Sequence, residues 1–365
     1  MSILHDLLDK AVSMGASDIH IKEGQEPFLR LQGRLVSSEF QRVEGPHLEA
    51  IVEDILPPYM QEKYATEHEA DFSLQEEDVG RFRVNIFNCK GYPTLAMRHV
   101  KSDIPTFEQI RVPDKLKEMA YVERGIILMA GTTGSGKSTT LAAMIGEMNR
   151  NLNRRIITVE DPIEYTFVDD QCVITQREVG LDTLSFSHAL KHLMRQDPDV
   201  ILIGEMRDAA SIETALLAAE TGHLVLSTIH AGTAALAIPR MLDVFPSVEQ
   251  PQIRMGIAGN LHAIVCQRLM ADTQGGVIPA VEIMINTSTV RKIVEKNKLE
   301  LLSAAVATGK QDGMQSFNQS IYELITNGTI TEAEGMRFAT NPESLRMNLK
   351  GIFLDEDSRI LDTEL

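Results

Sequence analysis

The chain has 365 residues, of which 43% are hydrophobic and 24% charged, a composition too apolar for general disorder. Its length predicts two or three domains. Its 52 acidic and 35 basic residues give a formal net charge of −17. Such a surface repels nucleic-acid phosphates and anionic lipids, so no nucleic-acid partner is expected.

The sequence also argues against a membrane-embedded or disulfide-based protein. No run of 18 apolar residues predicts a membrane span, and the N-terminus lacks the pattern of a signal peptide. Cys89, Cys172 and Cys266 are scattered, without a CxxC pair. This spacing excludes a cysteine-based zinc knuckle and does not support a disulfide framework. We therefore expect a reduced, cytoplasmic protein.

Residues 1–100 carry the pattern of a small antiparallel α+β domain. Apolar residues at helical spacing predict a helix over 3–14, which Gly15 would end. Alternating runs bounded by turn residues predict strands at 19–21, 28–36, 72–74, 81–87 and 94–100. On the strand over 81–87, every second residue is apolar, so Arg81 and Arg83 should leave the core face together.

Residues 101–114 contain two prolines and are expected to form a linker. After this segment the pattern of apolar residues changes. Four apolar runs alternating with helical patterns predict a parallel sheet buried on both faces, at 125–130, 156–159, 200–203 and 224–229. From about residue 247 the pattern is interpreted as helical, for example at Ile253, Ile257, Leu261, Ile264 and Val265. The predicted organisation is 1–100, 101–114, 115–285 and a helical region at 286–365, whose last residues, 354–365, form a solvated acidic tail.

The segment from Gly131 to Ser138 fits the phosphate-binding pattern G-x-x-x-x-G-K-[ST] at every fixed position. An apolar strand precedes it and a helix-forming stretch follows, so its amides and the helix N-terminus would face a bound phosphate. Lys137 would contact the β- and γ-phosphates, and the Ser138 hydroxyl would hold Mg²⁺. The predicted nucleotide-binding residues are Gly131, Thr132, Thr133, Gly134, Ser135, Gly136, Lys137, Ser138 and Thr139.

Polar residues follow three other predicted strands. The sequence Glu160-Asp-Pro-Ile-Glu164 follows one, Gly204-Glu205 the second and His230 the third. Because ligands sit at the carboxyl ends of parallel strands, these groups should gather near the phosphate loop, where hydrolysis needs carboxylates for water and Mg²⁺. A common P-loop strand ends in Asp, whereas this one ends in Gly204-Glu205. The longer Glu205 would therefore reach the metal through a water.

These blocks resemble the secretion ATPase superfamily, with its Walker A, Asp box, Walker B and His box. They read GTTGSGKST, TVEDPIEY, QREVGLDTLSF, DPDVILIGEMRD and AAETGHLVLSTIHA. The resemblance extends from ASDIHI near residue 16 to QDGMQSF at 311–317. Within the superfamily the chain most resembles the type IV pilus retraction ATPases of the PilT and PilU type.

The resemblance implies a RecA-like core with a mainly parallel sheet, preceded by a small PAS-like α+β domain and followed by a helical region. It implies hexamers with ATP between subunits and hydrolysis that drives pilus retraction in twitching motility. By resemblance, Glu164 would position or activate the water, Glu205 would serve the metal and His230 would contact the γ-phosphate. Arginines supplied to the next subunit would be Arg81, Arg83 and Arg98.

Two assignments remain open at this point. Arg195 and Arg207 could pair with the Asp-box acids instead of acting in catalysis. His223 and His230 are seven residues apart, so on a straight strand they would lie at opposite ends, about 23 Å apart at roughly 3.3 Å per residue. His223 would then be structural.

The C-terminal region favours the accessory, PilU-like branch. The family's retraction helix resembles A-I-R-N-L-I-R-E, whereas residues 289–296 read TVRKIVEK, which keeps Arg291 but loses the Asn and reverses the terminal charges. The implied partners are further copies of the chain, a retraction ATPase paralogue and an inner-membrane platform protein. The implied location is the cytoplasmic face of the inner membrane at the pilus base, with contact to the membrane only through proteins.

Other functions stay open. A pilus-extension or export ATPase typically has a longer N-terminal region and a tetracysteine loop, which this chain lacks. A DNA-transfer ATPase is disfavoured by the acidic charge. A hydrolytically weak ring that depends on a partner ATPase remains compatible with the motifs. A small-molecule kinase would need an arginine-rich lid, and no such segment is evident.

Overall fold

The computed structural model describes residues 3–31 and 33–353. The chain divides into two compact units. The first unit contains the chain up to Asp103 together with Pro162–Thr166 and Glu178–Asp182. The second unit contains Ile104–Asp161, Phe167–Arg177 and the chain from Thr183 onward.

The first unit is an α+β structure around an antiparallel sheet. Its elements are α1 (Ile3–Ser13), β1 (Asp18–Ile21), β2 (Phe28–Leu31), β3 (Arg34–Ser37), α2 (Gly45–Ile55), α3 (Pro58–Glu67), β4 (Glu69–Glu76), β5 (Gly80–Cys89) and β6 (Tyr92–Val100). The strand order is β3-β2-β1-β6-β5-β4, and every neighbouring pair is antiparallel. On β5, Phe82, Val84 and Ile86 are fully buried, which confirms the predicted alternation.

The helices α2 and α3 were not expected from the sequence. A proline lies in the first turn of each helix, where its missing N–H has no cost. In a sequence, however, a proline is also typical of a turn, so these residues did not indicate a helix. None of the ten residues of α3, all of them described, is buried. Without an apolar stripe, the helical period of α3 could not be detected.

The segment expected to be a linker contains ordered structure. Helices α4 (Phe107–Ile110) and α5 (Asp114–Met119) lie within or just after it. Thr106 caps α4 through a capping box with Gln109. Phe107 is buried and packs in the same core as Leu116, so this part of the segment contributes to the second unit.

The second unit contains an α/β sheet of seven strands in the order β13-β12-β7-β11-β10-β8-β9. Its elements are β7 (Gly125–Ala130), α6 (Lys137–Asn151), β8 (Arg155–Glu160), β9 (Val173–Glu178), α7 (Phe186–Leu193), β10 (Val200–Ile203), α8 (Ala209–Glu220), β11 (Leu224–Ile229), α9 (Ala234–Leu242), α10 (Gln250–Asn260), β12 (Leu261–Ala271) and β13 (Val277–Ile285). The run β12-β7-β11-β10-β8 is parallel. The four predicted strands are therefore confirmed.

The helical interpretation of Leu261, Ile264 and Val265 was wrong. These residues lie in β12, which pairs with β7 on one side and with β13 on the other. Ile264, Val265 and Cys266 are all fully buried. A strand buried on both faces shows no alternation, so its apolar run cannot be told from a buried helix by periodicity.

The described part of the C-terminal region is helical. It contains α11 (Ser288–Glu295), a 3-10 helix (Leu299–Leu301), α12 (Leu302–Thr308), a second 3-10 helix (Gly309–Asp312), α13 (Phe317–Thr326), α14 (Glu332–Phe338) and α15 (Pro342–Leu349). The expected acidic tail, 354–365, lies outside the described residues. Within the described ranges, none of the helices has the length and apolar character needed to cross a membrane.

Candidate active site

The phosphate loop connects β7 to α6, as the motif predicts, and its conformation requires glycine. Gly131, Gly134 and Gly136 have φ values of 145°, 77° and 92°, which non-glycine residues rarely adopt. At Gly131 an added Cβ would lie 2.8 Å from the main-chain oxygen of Gln267 and would also collide with the Ser135 hydroxyl. The loop therefore has no room for a side chain at its first position.

Lys137 lies inside this loop. It is 9% exposed, and its Nζ donates hydrogen bonds to the carbonyl oxygens of Gly131 at 3.0 Å and Thr132 at 2.9 Å. Ser135 is also buried, and its Oγ has no hydrogen-bond partner among the described residues. Buried polar groups are normally paired, and a phosphate oxygen would supply the acceptor that this hydroxyl lacks.

Gln267 supports the loop from β12. Its buried side-chain amide lies 3.0–3.1 Å from the Thr140 hydroxyl on α6, and its main-chain oxygen lies against Gly131. No motif in the sequence indicates a role for this residue. Its only signal was that two polar residues, Gln267 and Arg268, interrupt the apolar run Ile264–Met270.

The structure brings Glu205 and His230 together. β7, β11, β10 and β8 are neighbours in the parallel sheet, so their carboxyl ends share the edge where such sheets bind ligands. The His230 Nε2 lies 3.3 Å from the Glu205 Oε1. The other carboxylate oxygen of Glu205 accepts from the Arg207 Nε at 2.7 Å.

Arg207 therefore pairs with Glu205, an arrangement that the sequence analysis did not name. The hydrogen bond to Glu205 is the main reason why the pKa of Arg207 is raised. The Arg207 side chain is 65% exposed, so solvent weakens this pair. Arg207 nevertheless occupies Oε2 of Glu205, while Oε1 lies beside His230.

Gly204 stands where the common P-loop pattern has an aspartate, and its surroundings are tight. An added Cβ would lie 3.2 Å from the Val159 carbonyl oxygen and 3.3 Å from the Glu160 Cα, closer than ordinary van der Waals contact. An aspartate at this position would require the β8 backbone to shift by a few tenths of an ångström. The first acidic residue after β10 is Glu205, one residue further along the chain.

Glu160, to which the sequence analysis gave no role, ends β8 at the same edge. It is 8% exposed and accepts hydrogen bonds from the Thr158 Oγ1 at 2.6 Å and the Gln176 Nε2 at 3.3 Å. These contacts fix its carboxylate at the carboxyl end of β8.

Glu164 belongs to the first unit. Its neighbours Ile163 and Tyr165 are buried, while Glu164 is exposed between them. The Ile163 N–H donates to the Glu178 carboxylate at 3.1 Å, and the Thr166 N–H donates to the Lys101 carbonyl oxygen at 3.1 Å. The Asp box thus presents one carboxylate from a segment that is held on both sides.

The predicted trans arginines also belong to the first unit, in two different environments. Arg81 is 18% exposed at its side chain and forms an ion pair with Glu178 at 3.0 Å. Arg98 is 67% exposed, and its Nε lies 2.8 Å from the Asp18 Oδ1. Burial tends to raise the pKa of Asp18, but hydrogen bonds from Ser17 and Arg98 outweigh it, so this pKa is lowered. Arg83 is exposed and faces Arg98 across the β5–β6 pairing.

The two His-box histidines flank β11, as the spacing predicts. His223 comes just before the strand and His230 just after it. The His223 Nδ1 lies 2.9 Å from the Ala218 carbonyl oxygen, and the His223 carbonyl accepts from the Gly125 N–H at 3.0 Å. His223 therefore lies at the end of the strand away from Glu205.

A magnesium ion would find suitable donors at this edge. Ser138 and Glu205 offer hydroxyl and carboxylate oxygens, the hard ligands that Mg²⁺ prefers while keeping several waters. Among the described residues there is no cluster of three or more His, Cys, Asp or Glu that could hold a metal alone. The donor set thus fits a nucleotide-bound Mg²⁺ better than an all-protein metal site.

Comparison with known proteins identifies the family of this chain. The family described as "Type II/IV secretion system protein" matches residues 1–337. The type IV pilus ATPase PilU of Pseudomonas aeruginosa is 37% identical over 94% of this chain and 90% of its own length. The retraction ATPase PilT of the same species is 38% identical over 93% of this chain and 98% of its own.

Solved structures confirm the expected fold class. The pilus retraction motor PilT with bound ADP superimposes with a TM-score of 0.87 at 38% identity, covering 95% of this chain and 99% of that one. The ATPase DotB of Legionella pneumophila gives a TM-score of 0.75 at 26% identity, covering 92% and 95%. The chain therefore belongs to the type II/IV secretion system protein family, the secretion ATPases, as its resemblance to the pilus retraction ATPases implied.

Proposed function

We propose that this chain is a hexameric motor that couples ATP hydrolysis to retraction of a type IV pilus. The observation that carries the proposal is the arrangement in the second unit. There, a glycine-dependent phosphate loop enclosing Lys137 shares a sheet edge with the paired Glu205 and His230. Similarity to PilT and PilU over more than nine-tenths of the chain supports a type IV pilus as the structure that this motor moves.

The loop amides and Lys137 hold the β- and γ-phosphates of ATP, and Ser138 and Glu205 would hold Mg²⁺. The metal, when bound, neutralises phosphate charge. Glu164 orients a water whose oxygen bonds to the γ-phosphorus and accepts the proton that this water loses. The bond to the bridging β–γ oxygen breaks, which gives ADP and phosphate. His230 contacts the γ-phosphate.

The candidates for an arginine supplied to a neighbouring subunit are Arg98 and Arg81, with Arg83 beside them. Arg98 is the stronger choice, because its guanidinium is mostly exposed while that of Arg81 is largely buried against Glu178. A trans arginine neutralises charge that develops on the γ-phosphate in the transition state. Each active site would then need two subunits.

Mixing two inactive variants tests the shared site. Lys137→Ala lacks the phosphate contact and Arg98→Ala lacks the trans cation, so each alone should hydrolyse ATP poorly. In mixed rings, an intact Lys137 meets an intact Arg98 at some interfaces, and turnover should rise above the sum of the two. Turnover equal to that sum, with mixed assembly shown by mass, would contradict the shared site. The ring itself should weigh six times the 40.5 kDa chain.

A second candidate is an accessory ring that acts with a paralogous retraction ATPase. The segment of helix α11 supports it, because its terminal charges, at Glu295 and Lys296, are reversed relative to the retraction helix of the family. The segment keeps Arg291 and an apolar face at Val290, Ile293 and Val294. Such a ring would lie at the cytoplasmic face of the inner membrane and bind a platform protein there. Twitching in a strain that lacks this chain tests both candidates. Lys137→Ala abolishes rescue if the chain is a motor and preserves it if the ring only binds.

A further inference from the structure

The buried Glu178 joins the Asp box to the N-terminal sheet. It is 5% exposed, and its Oε2 accepts from both the Arg81 Nη2 at 3.0 Å and the Ile163 N–H at 3.1 Å. Its Oε1 accepts a short hydrogen bond from the Ser73 hydroxyl. One carboxylate therefore connects β4, β5 and the residue that precedes Glu164.

The same carboxylate is fixed from its own main chain. The Glu178 N–H donates to the Asp182 Oδ2 at 2.8 Å, and the Asp182 N–H donates to the Glu178 carbonyl oxygen at 2.8 Å. Glu178 thus lies at the start of a closed turn. A buried charge with this many partners has a single favourable position, because losing any partner leaves it less well satisfied.

The segment around Glu164 is consequently held at two points. Ile163 is tied to Glu178 on one side, and Thr166 is tied to the Lys101 main chain on the other. Buried Ile163 and Tyr165 alternate with exposed Glu164. This alternation and the two ties fix the direction in which the Glu164 carboxylate leaves the segment.

We infer that Glu178 is a positioning residue for ATP hydrolysis. It holds Glu164 through Ile163, and Arg81 acts chiefly in its own subunit by neutralising Glu178. The inference rests on the proposed role of Glu164 in orienting water. The role of Arg81 changes accordingly. Because a buried carboxylate holds its guanidinium, Arg81 stabilises the Asp box of its own chain and is less available to a neighbouring subunit.

Loss of Glu178 should affect the chemical step and spare nucleotide binding. The phosphate loop belongs to the other unit and is built by Gly131, Lys137 and Gln267. A misplacement of a catalytic group by about 1 Å can cost about 100-fold in rate. A defect in kcat without a defect in affinity is therefore the signature of positioning.

The test measures kcat and the Kd for a fluorescent ATP analogue in Glu178→Gln. We expect kcat to fall about 10- to 100-fold, with the Kd unchanged within about twofold. Asp71→Asn is the matched control. It also replaces a carboxylate by an amide, but at an exposed residue of β4, and it should keep wild-type kcat. An unchanged kcat in folded Glu178→Gln, or an equal loss of affinity, overturns the inference.

Two further variants keep the inference testable. If Glu178→Gln does not fold, Ser73→Ala removes a single hydrogen bond to the Glu178 carboxylate, and we expect kcat to fall about 3- to 10-fold because Glu178 is then held less firmly. Unchanged kcat in Ser73→Ala then overturns the inference. In the double variant Glu164→Gln/Glu178→Gln, the second change should lower kcat no further, because both act through one carboxylate. A further loss equal to that of Glu178→Gln alone means that Glu178 acts elsewhere.

These measurements separate the inference from the proposed function. Wild-type turnover no higher than that of Lys137→Ala rejects the proposed ATPase motor. Wild-type turnover that Glu164→Gln leaves unchanged rejects the role of Glu164. Turnover that is lost in Glu164→Gln but kept in folded Glu178→Gln rejects only the positioning role.

Discussion

Replacing Gly131 by alanine should disable the phosphate loop through geometry alone. Gly131 has a φ of 145°, and its added Cβ would lie 2.8 Å from the Gln267 carbonyl oxygen while also overlapping the Ser135 hydroxyl. The Gln267 oxygen belongs to the backbone of β12 and cannot move without disturbing the sheet. The methyl group therefore displaces either the loop or the strand.

Two costs add at this position. A non-glycine residue at positive φ costs about 1–3 kcal/mol, and a methyl group forced into a packed site costs about 1–3 kcal/mol. Their sum of about 2–6 kcal/mol corresponds to at least about 30-fold weaker nucleotide binding if the loop yields. If the loop keeps its conformation instead, the same free energy is lost from the stability of the second unit.

The assay is the Kd for a fluorescent ATP analogue together with the melting temperature. Gly275→Ala is the matched control, because Gly275 also has positive φ (87°) but its Cβ would meet no atom within 4 Å. It should lose only about 1 kcal/mol of stability and keep nucleotide affinity. If Gly131→Ala binds within threefold of wild type and melts like Gly275→Ala, the steric reasoning is wrong.

Two predictions concern titratable groups. In the native protein at pH 8, a thiol reagent should modify exposed Cys89 rapidly, whereas Cys172 and Cys266 should react only after unfolding, because burial raises both of their pKa values, that of Cys266 to about 12. The melting temperature should fall as the pH is lowered from 7.5 to 5.5. Burial lowers the pKa of His262 in the folded state, so below the unfolded value of about 6.5 the unfolded chain binds more protons.

Each of these two predictions can be contradicted by a single result. Three equally fast thiols in the native protein would mean that the core around Cys266 opens readily. For the pH effect, His262→Gln should flatten the decline between pH 6.5 and 5.5. A decline of the same steepness in that variant would assign the effect to other groups.

The sequence predicted what depends on contiguous residues. The phosphate loop could be found because its glycines and Lys137 stand at fixed spacing and because an apolar strand precedes it. The strands β7, β8, β10 and β11 were found because each is a short apolar run between helical patterns. The separation of His223 from His230 followed from strand geometry alone.

What the sequence did not predict depends on residues that are distant along the chain. Arg81 and Glu178 are 97 positions apart, and Thr140 and Gln267 are 127 apart, so only the fold shows these pairs. Sequence alternation correctly placed Arg81 off the core face, but it could not show the carboxylate that neutralises the guanidinium there. The strand β12 was missed for a different reason, because burial on both faces removes the alternation that identifies a strand.

The central claim is that this chain is an ATPase whose sites are shared between subunits. The most direct test is steady-state ATP turnover per chain as a function of protein concentration, with Lys137→Ala as the blank. We expect turnover per chain to rise cooperatively with concentration and to vanish in Lys137→Ala. Turnover per chain that is constant at every concentration would contradict shared sites, and turnover no higher than the blank throughout would contradict an autonomous motor.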